Sequence, residues 1–212
     1  MIHTIAGVTI PDTTLVAEAT NLVEHTTPEL IYNHSRRVFL FGMLQARAHG
    51  LTPDPELLYV AALFHDLGLV APYRGNDQRF ELDGADQARE FLATNGFSAA
   101  DSDLVWTAIA LHTTPEVPWR MDPVIAATTA GVETDVLGLR LGQLADSDIQ
   151  EVVAAHPRPD FKRRILDAFT QGFEHRPEST FGTVNADVLS HFVPGFTRID
   201  FVDVINSSAW PD

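Results

Sequence analysis

Residues 57–68 read LLYVAALFHDLG and combine an apolar run with two polar side chains. No charged residue occurs from Leu57 to Phe64, so the pattern predicts a helix that is buried on nearly all sides. Placing His65 and an ionised Asp66 side by side there costs free energy unless another group compensates them. A divalent cation would do so, because neutral imidazole and carboxylate both bind zinc or iron. The alternative is a His–Asp pair that faces water at the helix end.

Helix start and stop signals flank this segment on both sides. Ser, Thr or Asp stands at most of the predicted starts, and Pro follows directly in three of them, at Pro28, Pro55 and Pro123. No alternating pattern bounded by hairpin turns occurs, so we predict an all-α fold. The helices are expected over residues 13–25, 27–50, 54–68, 83–96, 98–112 and 122–139, and more weakly over 147–155, 160–175 and 184–192.

The predicted organisation is a single domain over residues 1–212. Its metal-site core is expected at about residues 28–140, and the C-terminal helices and an irregular tail follow over 141–212. The tail is expected to begin at Pro194. Residues 71–82 form a predicted loop over the His65–Asp66 pair, because they contain Pro, Gly, Asn and Asp between apolar segments.

Three further polar residues occur where a core-facing side chain is expected. His34 lies on the apolar stripe of its helix, His112 ends the apolar run of residues 104–111, and Asp135 follows the neutral run of residues 123–132. Each alone has an ordinary explanation: a core histidine with a partner, a histidine at a helix C-terminus, or a solvent-facing acid. Taken together, four predicted core helices each carry a metal-capable side chain. His34, His65, Asp66 and Asp135 would form a site of two histidines and two carboxylates.

Charge and composition exclude several functions. The chain has 14 Lys and Arg residues against 29 Asp and Glu residues, which gives a formal net charge of −15. Such a surface repels phosphate backbones and anionic lipids, so nucleic-acid and membrane partners are not expected. The absence of cysteine excludes disulfides, thiolate nucleophiles and iron–sulfur clusters. No signal-like start or long apolar run is present, so we expect a cytoplasmic protein.

Five sequence blocks in order resemble those of the HD-domain metal-dependent hydrolase superfamily, and more closely its cyanamide hydratase-like branch. The first resembles an NHS-x-RV opening, the second an HD-[LI]-G block and the third an RFE-x-DGA block. The resemblance spans about residues 30–140. The five blocks are Asn33–Val38, Phe64–Gly68, Arg79–Ala85, Ile109–Thr113 and Thr134–Gly138.

The resemblance implies an all-α fold with one divalent metal ion held by His34, His65, Asp66 and Asp135. The ion is zinc in the hydratases, with Fe²⁺, Mn²⁺ and Ni²⁺ as alternatives. Asp66 or Asp135 would accept a proton from the attacking water. His112 is the candidate for contacting substrate or donating a proton, so Asp66 and His112 are the predicted catalytic residues.

Two more residues are candidates for substrate binding. Glu81 is expected to close the site from the predicted loop. Arg37 follows His34 by three residues on the same helix face, where it would orient a ligand carboxylate or contact substrate; an ordinary surface arginine is the alternative.

The predicted reaction is addition of metal-activated water to a small neutral nitrile such as cyanamide, which yields urea. Phosphohydrolases of the superfamily often carry a lysine after the HD pair, whereas Leu67–Val70 follow it here. A phosphohydrolase remains an alternative, in which Arg37, Arg74 and Arg79 would supply the positive charge. A non-catalytic metal-binding protein and a dinuclear oxygen-using site that recruits His112 are further alternatives. The sequence leaves open whether the chain forms a homodimer.

Overall fold

The computed structural model describes residues 3–210, and helices dominate this part of the chain, which confirms the all-α prediction. A two-stranded antiparallel hairpin precedes the helices, with β1 at His3–Ile5 and β2 at Val8–Ile10. The helices are α1 Thr14–Thr26, α2 Glu29–Ala48, α3 Pro55–Phe64, α4 Phe80–Thr94, α5 Ala99–Leu111, α6 Pro123–Val132, α7 Asp146–Ala155, α8 Phe161–Phe173, α9 Asn185–Phe192 and α10 Phe201–Asn206.

Single turns connect several of these helices. A π-helical turn, Glu133–Leu137, continues α6 and ends at Gly138, whose φ of 69° is left-handed. The 3₁₀ turns are Leu67–Leu69, Val117–Arg120, Leu141–Gln143 and Pro177–Thr180.

Side-chain caps account for four helix starts that the sequence predicts. Thr13, Asp54, Ser98 and Asp122 each accept a hydrogen bond from a backbone N–H in the first turn of the helix that follows. These bonds satisfy donors that a helix N-terminus otherwise leaves without partners. The first turn of α2 has no such side-chain bond, and its cap is Pro28, one residue later than the predicted Thr27.

The structure differs from the sequence prediction near the HD pair. Helix α3 ends at Phe64, before the predicted end at Gly68, so His65 and Asp66 occupy the bend between α3 and a 3₁₀ turn. Helix α4 begins at Phe80, three residues before the predicted cap Asp83. Asp83 is buried and instead accepts hydrogen bonds from Gly75 N and from Arg176, so it fastens the preceding loop to α4.

The two chain ends also differ from the prediction. The N-terminal strands have three residues each, too short to show alternation, and Ala6 and Gly7 turn between them with positive φ angles of 51° and 67°. The tail predicted to be irregular contains α10, whose cap Asp200 accepts a bond from Val202 N.

Close packing of α2 against α6 positions the site. A Cβ atom at Gly131 would lie 2.1 Å from the backbone oxygen of Val38, so only glycine permits this approach. It brings the π-helical turn beside the middle of α2. A second apolar cluster, built on α8 and α9 with Ile31, Leu69 and Phe80, covers this end of the bundle. Among residues 3–210, none of the helices has both the length and the apolar character that crossing a bilayer requires.

Candidate metal centre

Three buried side chains meet where α2 passes the end of α3. His34 lies in α2, and His65 and Asp66 follow the last residue of α3. Each is at most 1% exposed. Their nitrogen and oxygen ligand atoms all lie within 4.8 Å of one another, so this cluster could hold a metal ion.

The tautomers of three histidines follow from the partners of Nδ1. His65 Nδ1 lies 2.8 Å from the carbonyl oxygen of Ala62, and His112 Nδ1 lies 2.6 Å from that of Ile109. His34 Nδ1 lies 2.7 Å from a carboxylate oxygen of Asp135. Carbonyls and carboxylates only accept, so each Nδ1 must donate. In each neutral ring, Nε2 is therefore left as an acceptor.

These Nε2 atoms converge on Asp66. His34 Nε2 and His65 Nε2 are 3.1 Å apart, and they lie 3.6 and 3.4 Å from Asp66 Oδ2. Two acceptors at 3.1 Å need a proton or a cation between them. Ligands about 2.1 Å from a tetrahedral zinc ion are about 3.4 Å from one another. The three distances are therefore short enough for one metal ion to contact all three atoms.

The carboxylate of Asp66 gives the clearest sign that the cluster fits a cation. Both of its oxygens are buried, and neither has a hydrogen-bond partner among the described residues. Burial alone would raise the pKa of Asp66, but the neighbouring His65, His34 and His112 together lower it. Burial would likewise lower the pKa of His65, but Asp66, the carbonyl of Ala62 and Asp135 together raise it. A buried, ionised carboxylate without hydrogen bonds is costly. A divalent metal ion fits this donor set.

Asp135 lies on the opposite side of His34 from this cluster. Its carboxylate accepts from His34 Nδ1 at 2.7 Å and takes two bonds from Arg37, at 2.8 and 2.9 Å. Burial would raise the pKa of Asp135, but these bonds lower it. The carboxylate therefore fixes the tautomer that turns His34 Nε2 toward Asp66. That Asp135 itself binds the ion stays a prediction.

His112 is the nearest further donor. Its Nε2 lies 3.8 Å from Asp66 Oδ1. His34 and His65 lie nearest to the other carboxylate oxygen, Oδ2. Burial and the neighbouring His65 lower the pKa of His112 to about 4, so the ring is neutral near pH 7. It is placed to serve as a ligand or to contact a bound substrate, the two roles that the sequence leaves open.

Glu81 and Arg37 lie behind the site. Glu81 is fully buried in the first turn of α4, where it accepts hydrogen bonds from Arg79, Thr113 and Asn185. Burial would raise the pKa of Glu81, but the bonds from Arg79 and Thr113 hold it below its ordinary value. Arg37 is also fully buried, and it donates two further hydrogen bonds to the backbone oxygens of residues 156 and 157. Neither residue lines the cavity described next.

A cavity of about 380 Å³ opens over the cluster. His34, His65, Asp66 and His112 form its polar end. Most of the remaining wall is aliphatic or aromatic and comes from the π-helical turn, α8 and α9, with Thr113, Thr114, Glu133 and Asn185 as the other polar members. Among the described residues, no lysine or arginine lines it. The apolar members include Val132, Val136, Leu166, Phe169 and Val188.

Sequence reasoning therefore located the polar end but missed most of the wall. The blocks around His34, His65 and His112 come together in space. Residues such as Leu166, Phe169 and Asn185 lie in C-terminal helices whose sequence contains no chemical motif. Only the heptad-like apolar spacing of α8 could have suggested that one of its faces is covered.

Comparison with known proteins relates the chain to a family and to a characterised enzyme. The family model described as "HD domain" matches residues 31–168, which include the whole cluster. A bifunctional uridylyltransferase/uridylyl-removing enzyme of Thiobacillus denitrificans is 41% identical over 69 residues. That match covers 32% of this chain and only 8% of the relative's length.

Proposed function

Because the chain belongs to the HD domain family, whose members are generally metal-dependent hydrolases, we propose that it adds water to a small neutral nitrile such as cyanamide. In that reaction, water adds across the carbon–nitrogen triple bond, and cyanamide becomes urea with no other product. The five sequence blocks that resemble cyanamide hydratases support this finer assignment.

The observation that carries the proposal is that, among the described residues, no lysine or arginine lines the cavity. The three arginines that a phosphate-binding site would use are bonded elsewhere. Arg37 binds Asp135, Arg74 donates to the backbone oxygen of Gln171, and Arg79 binds Glu81. Phosphoryl transfer depends on cationic groups that stabilise the developing charge. The described lining of the cavity supplies no cationic side chain, and the hydration of a neutral nitrile does not require one.

We propose zinc as the ion, because imidazole nitrogen and carboxylate oxygen at these spacings suit it. When bound, zinc supplies Lewis acidity and lowers the pKa of water toward 7. Elemental analysis of protein purified without an affinity tag is expected to give about one zinc per chain. Two iron ions per chain would instead favour the dinuclear, oxygen-using alternative.

Hydrogen bonds at Nδ1 fix the protonation state of the two histidines His34 and His112 at the polar end of the cavity. Asp135 keeps His34 Nε2 free of a proton, and the carbonyl of Ile109 does the same for His112 Nε2. His112 is neutral near pH 7 because its pKa is about 4. It can therefore accept a proton from water at Nε2 and return it to the nitrile nitrogen. The Asp66 oxygen 3.8 Å from Nε2 would attract the imidazolium that forms between these two steps.

Side-by-side steady-state assays test the proposal. We expect kcat/KM for cyanamide to exceed that for every member of a panel of nucleoside monophosphates, with the zinc-loaded protein. His112→Ala should lower cyanamide hydration by about 10²–10⁴-fold, the usual contribution of a positioned acid or base. A kcat/KM for cyanamide below that for any nucleoside monophosphate would reject the hydratase proposal.

A phosphohydrolase is the second candidate, because the partial match is to an enzyme whose name includes uridylyl removal. Its substrate would be a nucleotide or another phosphomonoester. This candidate requires that Arg79 leave Glu81 and reach the cavity. It predicts a higher kcat/KM for a monophosphate than for cyanamide and loss of that activity in Arg79→Ala.

A further inference from the structure

The cavity over the cluster is much larger than cyanamide. A molecule of three heavy atoms needs on the order of 90 Å³, at the roughly 30 Å³ that one water occupies. The cavity measures about 380 Å³. By the same scale, it holds about a dozen heavy atoms. A cyanamide molecule at the polar end would therefore leave most of the space to water or to another part of a larger substrate.

The part that cyanamide would not reach has apolar walls. Leu166 and Phe169 of α8, Val188 of α9, and Val132 and Val136 are among the apolar residues that line the cavity. Water in contact with such walls cannot make its usual hydrogen bonds, so an apolar group that displaces it gains free energy. Besides Asp66, Glu133 is the one carboxylate among the described residues that lines the cavity, and it accepts bonds from Trp119 and Arg140 and so is already paired.

The apolar surface continues to the mouth of the cavity. Leu137, Leu139 and Val184 line it and yet are 65%, 44% and 46% exposed. A cluster of exposed apolar side chains at the rim of a pocket is typical of a ligand-binding surface. It would contact the outer end of a molecule whose other end lies at His65 and Asp66.

We propose that the physiological substrate is an uncharged molecule of up to about a dozen heavy atoms, with a polar reactive group at one end and an aliphatic or aromatic body. The reactive group lies against the histidine–aspartate cluster, and the body packs between the π-helical turn and helices α8 and α9. The identity of the reactive group, a nitrile, rests on the proposed function. The apolar body rests on the cavity alone.

Binding of straight-chain primary amides tests the body without requiring turnover. These amides, from acetamide to hexanamide, have the functional group of a hydrated nitrile, and isothermal titration calorimetry with zinc-loaded protein gives their Kd. Each added methylene that leaves water is worth about a fourfold decrease in Kd. We therefore expect Kd to fall about fourfold per carbon along the series. A Kd that does not change with chain length would overturn the proposal.

Two matched variants locate the body. Val184→Asp places a charge at the mouth. Val184 is half-exposed and directly precedes α9, where the helix dipole favours a negative charge, so the fold is expected to survive. We expect it to weaken hexanamide binding at least fivefold and to change acetamide binding less than twofold. The control is Val202→Asp in α10, at a valine that is 60% exposed and does not line the cavity. Equal effects of the two variants on hexanamide would contradict the proposed position.

The results separate this inference from the proposed function. Chain-length-dependent amide binding without turnover of any nitrile would support the apolar body and reject the hydratase. Turnover of cyanamide with amide affinities that do not depend on length would support the hydratase and reject the apolar body. If both hold, kcat/KM for hexanenitrile is expected to exceed that for acetonitrile.

Discussion

Replacing Asp66 with alanine should remove most of the stabilisation that metal binding gives the fold. At free zinc 100 times its Kd, binding to the folded state adds about 2.7 kcal/mol. For a chain of 212 residues, roughly 2–4 °C per kcal/mol converts this into a rise in Tm of about 5–11 °C. Loss of a mere hydrogen-bond partner of a ligand costs about 10–100-fold in metal affinity. Loss of Asp66 itself should cost at least the upper value. At the same free zinc, the remaining stabilisation is about 0.4 kcal/mol, or about 1–2 °C.

The assay is differential scanning calorimetry of metal-stripped protein with and without buffered zinc. The zinc-dependent difference is taken within each variant, so any effect of the substitution on the metal-free fold cancels. Asp103→Ala is the matched control, because Asp103 is exposed and its carboxylate pairs with Arg89 at the surface. This variant should keep the full rise in Tm. If Asp66→Ala also kept the full rise in Tm, the orphaned carboxylate would not be a metal ligand, and the site would have to be rebuilt from other residues.

Three further predictions follow from contacts around the site. Asp135→Asn should weaken zinc binding about 10–100-fold, as measured by zinc titration. Because it leaves Arg37 buried without its carboxylate, it should also lower the free energy of unfolding by about 3–5 kcal/mol, as measured by urea unfolding. Unchanged values would show that the Arg37–Asp135 pair is dispensable. The folded-state pKa of His112 is about 4, below the ordinary value of about 6.5, so the unfolded chain binds the proton first as pH falls. The free energy of unfolding of metal-free protein should therefore decrease from about pH 6.5 toward pH 4. His112→Gln should flatten that decrease, which urea unfolding at several pH values measures. Gly68→Ala should fail to fold or lose most of its stability, because the new Cβ would lie 2.0 Å from a backbone oxygen of α4; a circular dichroism melt like that of the wild type would contradict the observed packing.

The helices could be predicted where local chemistry sets their ends. Thr13, Asp54 and Ser98 cap helices whose starts the sequence indicates correctly, because the bonds they make are local. The end of α3 could not be predicted in this way. The chain leaves the helix after Phe64 because Gly68 packs directly on the backbone of α4, and this contact joins segments distant in sequence.

The polar end of the site was predictable for a similar reason. Buried histidines and a buried aspartate in apolar segments are costly, and the cost is visible in a single sequence. What could not be predicted is the hydrogen bond that each histidine makes at Nδ1. Ala62 and Ile109 provide carbonyls three residues before His65 and His112, so two of these bonds depend on the local bend at the end of a helix.

The charge of the substrate could not be inferred from counting cations, because burial decides which cations can reach it. Arg36, Arg37 and Arg176 are all buried, and they bind Tyr59, Asp135 and Asp83 within the fold. An arginine committed to a buried carboxylate cannot turn to a substrate phosphate without leaving that carboxylate unpaired, which costs several kcal/mol. The net charge of −15 describes the surface that a ligand approaches, whereas the apolar wall and the committed guanidinium groups determine what remains bound. The acidic surface and the described cavity lining without a free cationic group both disfavour an anion at this site.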